Sequence, residues 1–217
     1  MLVVVAGAQD VGARRLPERW APHDVAVLTP GDLATVGWRW RPAAPEQSAA
    51  VLDGRLVALT DISGVLVRLP AVTPRELPQI SAAERDYVAA EMTAFLVAVL
   101  GSLDCVVLNP PASPFLTSPL WRRERWMRAA ARLGIPTAGP ASRRTDMSAV
   151  TVVGDRCFGA REGELRRQSR LLARACGAAM VVARFVATPV GRRLAGADPW
   201  ADLEDDDVAA ALLAHLA

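Results

Sequence analysis

Short apolar runs closed by turn residues alternate with stretches of helical period along the whole chain. LVVVAG, near the start, reads as a buried strand ended by glycine. Gln9 and Asp10 follow at its carboxyl end, where open α/β folds place their functional loops. DVAVLTP (24–30) predicts a second strand running into Pro30-Gly31. After a looser region rich in Pro, Ala and Gln, VLDGRLVAL reads as two short strands joined by a hairpin turn at Asp53-Gly54. GVLVRLP (64–70) predicts a further strand. Ser81 with Glu84 has capping-box spacing and opens a long helix through about Leu100, with Tyr87 and Glu91 on one face. DCVVLNPP (104–111) predicts a buried strand ended by a double-proline turn.

In the second half, Ser118 as N-cap and Pro119 at the first helical position predict a helix from Leu120 to Leu133. A linker, PTAGPASRRTDMS (136–148), leads to AVTVVGDRCFGA, read as a strand and turn. A helix over EGELRRQSRLLARACG stops at Gly177, AMVVARFVAT is a strand, and DDDVAAALLAHLA is a capped terminal helix. Strands alternating with helices predict an α/β sheet with helices packed against it.

Placed at 100° per residue, the helix from Leu120 sorts into two faces. Leu120, Trp126, Met127, Ala130, Ala131 and Leu133 form an apolar face, and Arg122, Arg125, Arg128 and Arg132 share the opposite one. That arginine face reads as a solvated surface. Arg123 falls within the apolar face, where a buried guanidinium needs a partner: an intramolecular acid, or a bound anion.

Charge and composition remove several classes of function. The chain has 217 residues, 52% of them hydrophobic, and a net charge of only +2, so it is not the strongly basic object expected of a general nucleic-acid binder. Its 25 basic residues are all arginine, which excludes Schiff-base chemistry and the lysine of a phosphate-binding P-loop. Cys105, Cys157 and Cys176 are scattered and odd in number, suggesting neither a disulfide framework nor a zinc site. His23 and His215 are too far apart to read as metal ligands. The start, MLVVVAGAQD, lacks a basic region before its apolar run, and no run approaches the roughly 18 residues of a membrane span. A cytoplasmic protein that does not enter the membrane is expected.

Several stretches, taken in order, resemble the ATP-grasp ligases close to glutathione synthetase and to the peptide-modifying ligases of graspetide pathways. They are GVLVRLP, the helix with Tyr87 and Glu91, VVLNPPASPFLTSPLWRRERWMRAAARLGIPT, VTVVGDRCFGA, and LARACGAAMVVARFVATPVGRRLAGADP. The resemblance implies a pre-ATP-grasp, Rossmann-like α/β domain over 1–117 and a shortened ATP-grasp remnant over 118–217. It also implies what has changed. About a dozen residues lie between Thr137 and Ala149, where the family inserts most of a nucleotide-clamping subdomain. The family lysine that opens the helix falls on Arg123. The metal-binding aspartate, glutamate and asparagine of the closing segment fall on Arg184, Gly196 and Asp198, a set poor in the carboxylates that magnesium takes.

Three readings follow. The first is a catalytically degenerate, non-enzymatic protein of a peptide or natural-product pathway, with neither cofactor nor metal. It would bind a protein or peptide partner, or itself as a dimer, since a lost subdomain would leave VTVVG and AMVVARFVA with uncovered apolar surface. The second is an ATP- and magnesium-dependent carboxylate–amine ligase, or another small-molecule enzyme using the retained cleft. The third is RNA binding through the arginine faces, including Arg166, Arg170 and Arg174, which composition disfavours. No catalytic residue is assigned. The candidate ligand-binding set is Asp10, Arg68, Tyr87, Glu91, Asn109 and Arg123, gathered near the carboxyl ends of the strands.

Overall fold

The computed structural model describes residues 1–139 and 146–217, so the middle of the expected linker, 140–145, lies outside the described residues. The chain divides into two units, Met1–Thr117 with Leu213–Ala217, and Ser118–Leu212.

The first unit begins with β1 (Leu2–Val5), α1 (Val11–Arg19), β2 (Val25–Leu28) and the single turn α2 (Pro30–Leu33). There follow the hairpin β3 (Ala49–Leu52) and β4 (Arg55–Ala58), then β5 (Gly64–Val67), α3 (Arg85–Ser102) and β6 (Val106–Leu108). Four of these strands form a parallel sheet in the order β2-β1-β5-β6. Every residue of β1, β2 and β5 is buried, which explains why these strands are uninterrupted apolar runs rather than alternating ones. The core packs Val3, Val5, Val65 and Val67 against Ala89, Leu96, Val99 and Leu100 of α3, with Ala50 and Leu52 from the hairpin. Trp38 and Trp40 stand edge-on to Phe95, with ring centroids at 5.5 and 6.1 Å, so both serve the packing of this unit. At the hairpin turn Asp53 and Gly54 take φ of 48° and 71°, the left-handed pair such a turn requires. Gly64 is needed for another reason: a Cβ there would lie 2.5 Å from the Leu216 carbonyl oxygen.

Two details depart from the sequence reading. α1 was not foreseen, because Pro17 and a charged run mask its period. It is held by the buried Ala13 and Leu16, and the Asp10 side chain caps it by accepting from the Ala13 N–H at 3.0 Å. α3 starts at Arg85 because Ser81 to Glu84 forms a preceding turn, in which the Ser81 hydroxyl donates to Glu84 at 2.9 Å.

The second unit contains α4 (Arg123–Arg132), β7 (Met147–Val153), β8 (Arg156–Gly159), α5 (Gly163–Ala175), β9 (Met180–Thr188) and β10 (Gly191–Asp198). The helix α6 (Asp206–Leu216) begins here and ends among residues of the first unit. The strands form an antiparallel sheet, order β10-β9-β7-β8. AVTVVGDRCFGA is thus a hairpin rather than one strand and a turn. α4 begins three residues after the expected Leu120: Pro119 is buried and Arg122, still extended, takes the N-cap position. Ala131, assigned above to the apolar face, is exposed.

The uncovered apolar sheet does not occur. Val150, Val152, Val153, Met180, Val181, Val182, Ala183, Phe185 and Val186 are each 5% exposed or less within the single chain. Leu165, Leu172 and Ala173 of α5 and Trp126 and Ala130 of α4 pack with Val150, Val152, Val181, Ala183, Phe185 and Leu194. Helices α5 and α4 cover the face that carries Val150, Val152, Val181, Ala183 and Phe185, and the remaining residues are buried within the chain, which withdraws the argument for a dimer from bare sheet. Among the described residues no helix is long and apolar enough to cross a membrane.

Candidate functional site

In the first unit the strand order reverses between β1 and β5. One is followed by β2 on its outer side, the other by β6. The crevice outside the carboxyl ends at such a switch point is where open α/β sheets bind ligands. Asp10 and Arg68 meet there, with Nε to Oδ2 at 3.2 Å and side chains 22% and 15% exposed respectively. Asp10 therefore caps α1 with one carboxylate oxygen and holds a guanidinium with the other. Gly7 keeps the neighbouring backbone open to Glu76, whose Oε1 would lie 2.8 Å from an added Cβ. Asn109, after β6, is wholly buried. Tyr87 is 69% exposed, and Glu91 is exposed one turn along α3. Arg123 belongs to the second unit.

There a recess of about 300 Å³ is bounded by Trp121, Arg123, Trp126, Arg184, Gly196 and Asp198. Arg184 on β9 stands directly across from Gly196 on β10, and Asp198 lies two residues further along the same strand. Arg184 Nη1 donates to Asp198 Oδ2, and Asp198 Oδ1 accepts the Trp200 N–H at 3.0 Å. Both carboxylate oxygens are thereby engaged. Burial pulls the Arg184 pKa below the ordinary guanidinium value, because removing the cation from water disfavours its charge.

Within the chain the Arg123 guanidinium meets backbone carbonyls rather than an acidic side chain. Its Nε donates to the Ala195 carbonyl at 3.1 Å, and its Nη2 to the carbonyls of Ala138 and Gly139 at 2.9 and 3.5 Å. It ties α4 to β10 and to the residues after the helix. Hence Arg123→Met is expected to cost about 1–3 kcal/mol, because carbonyls engaged by a charged donor lose it. Arg125→Met, on the exposed face, is expected to cost less than about 0.5 kcal/mol. Urea denaturation of the two variants checks the difference, and equal midpoints would show that these hydrogen bonds add nothing.

The donor set of this recess does not fit magnesium. That ion takes one or two carboxylates along with phosphates and water, whereas here one carboxylate stands beside a guanidinium that already occupies it. Among the described residues no three His, Cys, Asp or Glu side chains are grouped to hold a metal. Burial raises the pKa of Cys105 and Cys157, and that of Cys176 to about 11, so none is poised as a thiolate nucleophile. Sequence reasoning missed the carbonyls that hold Arg123, for which no sequence signal exists. It also missed the pairing of Arg184 with Asp198, although both positions had been marked.

No known family model matches the chain, nor does any curated protein. Solved structures do match, over nearly the full length of both chains. Macrocyclase MdnC from Microcystis aeruginosa MRC, bound with precursor peptide MdnA, has a TM-score of 0.75 at 10% identity and covers 100% of this chain and 99% of its own. ATP-grasp ligase PsnB, complexed with a phosphomimetic variant of minimal precursor, Mg and ADP, has a TM-score of 0.73 at 14% identity, covering 100% and 98%. A RiPP-associated ATP-grasp ligase of Chryseobacterium gregarium, in complex with ADP and a leader and core peptide, has a TM-score of 0.70 at 10% identity, covering 99% and 96%. The fold is that of the ATP-grasp ligases.

Proposed function

We propose that the protein is a non-catalytic, ATP-grasp-like binding protein that takes a peptide or protein partner in a peptide-modifying pathway. The observation that carries this reading is the ion pair between Arg184 and Asp198. ATP-grasp ligation activates a carboxylate as an acyl phosphate, which an amine then displaces. The transferring phosphoryl group must be neutralised by metal and cations. In this chain a fixed guanidinium stands where the resemblance puts a metal-binding aspartate, and it consumes the remaining carboxylate. The connection between Thr137 and Ala149 is too short for the clamp that the resemblance places there. A peptide partner is supported by the neighbours of this fold that hold precursor peptides.

The competing reading, a carboxylate–amine ligase, draws on the similarity to a ligase complexed with Mg and ADP. Calorimetry with Mg-ATP decides between them. The expected result is no magnesium-dependent heat and no ATP hydrolysis by the isolated chain. Saturable binding that EDTA abolishes would establish the ligase reading instead.

A further inference from the structure

A cavity of about 250 Å³ in the first unit lies away from the switch point. It opens beside Ile62, just ahead of β5, beside Asp104, just ahead of β6, and beneath the connection from α2 to β3. It therefore sits at the amino end of the parallel sheet, opposite the end where Asp10 and Arg68 meet. Trp40, Pro42, Leu59, Ile62 and Leu103 form its apolar lining, and two opposite charges, Arg41 and Asp104, line it as well. These two do not pair with each other, and among the described residues neither has an ion-pair partner. The walls are fixed by hydrogen bonds among neutral groups. Trp40 Nε1 donates to Ser102 Oγ at 3.2 Å, and Ser102 Oγ donates to the Val99 carbonyl at 2.8 Å. The buried Ser48 Oγ accepts the Arg41 N–H at 2.8 Å, and the Ser48 N–H donates to the Pro45 carbonyl at 2.9 Å, closing a 3₁₀ turn over Pro45–Gln47. Arg41 Nη1 donates to Gln47 Oε1 at 2.9 Å, a neutral acceptor that orients the guanidinium and leaves its charge unbalanced.

We infer that this cavity binds a free amino acid with an apolar side chain. The α-carboxylate of the ligand meets Arg41, whose planar fork donates two parallel hydrogen bonds to such a group. Its ammonium meets Asp104, and its side chain lies against Trp40, Leu59 and Ile62. Taking charges out of water is costly unless each is paired, so a ligand with one charge would leave the opposite wall of the cavity unmatched. A zwitterion satisfies both. The volume falls below the roughly 300–1,000 Å³ of pockets that hold drug-sized ligands, which suits a molecule as small as an amino acid. Pro42 and Pro45 have fixed φ and the Trp40 indole is already tethered, so little ordering is left for the ligand to impose. The inference goes beyond the proposed function and does not rest on it. No residue of this cavity belongs to the Arg184–Asp198 recess, so the Mg-ATP experiment and this one fail independently.

Isothermal titration of the full chain tests it, with L-leucine, L-phenylalanine, glycine, N-acetyl-L-leucine and L-leucinamide as probes. Saturable binding of leucine or phenylalanine is expected. N-acetyl-leucine, which lacks the ammonium, and leucinamide, which lacks the carboxylate, are each expected to bind roughly tenfold more weakly than leucine, the low end for a lost hydrogen bond between charged groups. Glycine carries both charges without the apolar part and should also bind roughly tenfold more weakly. Asp104→Asn and Arg41→Gln change exposed residues and leave the core intact, so both variants fold. Each is expected to weaken leucine roughly tenfold, and each should erase one preference. Asp104→Asn no longer distinguishes leucine from N-acetyl-leucine, and Arg41→Gln no longer distinguishes leucine from leucinamide. Arg39→Gln, in the neighbouring groove, should change nothing. No saturable heat with either leucine or phenylalanine, equal affinity of the wild type for leucine and a singly charged analogue, or undiminished leucine binding in both variants would each overturn the inference.

Discussion

Replacing Arg184 by aspartate and Gly196 by glutamate together is expected to build a divalent-cation site in the recess. The space exists: an added Cβ at Gly196 meets no atom within 4 Å, and its φ is not in the left-handed region. Removing Arg184 frees Asp198 Oδ2 and eliminates the cation beside it. Three carboxylates then face one another across β9 and β10, repelling in the absence of metal and offering hard oxygen ligands in its presence. Binding to the folded chain alone appears as stability. A site with a Kd of about 0.1 mM, in about 10 mM magnesium, adds about 2.7 kcal/mol and raises Tm by roughly 11–22 °C if the second unit, Ser118–Leu212, unfolds as its own domain. Gly196→Glu alone should show no such rise, because the new carboxylate faces the guanidinium and pairs with it. Thermal melts of wild type and both variants, in magnesium and in EDTA, provide the comparison. A wild-type shift as large as that of the double variant would mean that Arg184 does not exclude metal, and the non-catalytic reading would lose its main support.

What was legible in the sequence was whatever a short window encodes. β1, β2 and β5 are continuous apolar runs because both sheet faces are covered, and the Asp53-Gly54 turn announces its hairpin through residues that tolerate positive φ. β10 was not legible. GRRLAGAD carries two arginines and two glycines, shows no alternation, and becomes a strand through pairing with β9, with a register shift between Leu194 and Gly196. The start of α4 was misplaced because Ser118 and Pro119 have the residue types of a helix start, yet Pro119 is buried before the helix begins.

At the sites, the switch-point residues were readable as types but not as partners. Asp10 and Arg68 are 58 positions apart, and their pairing comes from the parallel alignment of β1 with β5. Arg123 was placed correctly on the buried side of its helix. Its acceptors are backbone carbonyls, which every residue carries, so no sequence pattern distinguishes them. The exposed-sheet expectation treated the loss of a subdomain as the loss of all cover, when the apolar stripe of α5 at Leu165 and Leu172 meets the sheet.

Trp126 should separate packing from polarity within the same recess. Its side chain is 1% exposed, its ring lies 4.8 Å from that of Trp121, and among the described residues its Nε1 has no hydrogen-bond acceptor. Trp126→Ala removes the largest side chain linking α4 to the sheet and is expected to cost about 3–5 kcal/mol. Trp126→Phe behaves differently, because two effects oppose one another. The smaller ring forfeits contact and leaves a small gap, but the substitution also removes a buried donor whose unsatisfied state costs about 1–3 kcal/mol. The expected net change is within about 1 kcal/mol of wild type. In urea, with a slope of about 2 kcal/mol per molar, the alanine variant should unfold about 2 M earlier and the phenylalanine variant within about 0.5 M. Far-UV circular dichroism is the appropriate probe, since each variant removes a fluorescent tryptophan. If phenylalanine costs as much as alanine, the indole N–H is bonded in solution, with an ordered water in the recess as its acceptor. The recess would then be a hydrated polar site rather than a dry one.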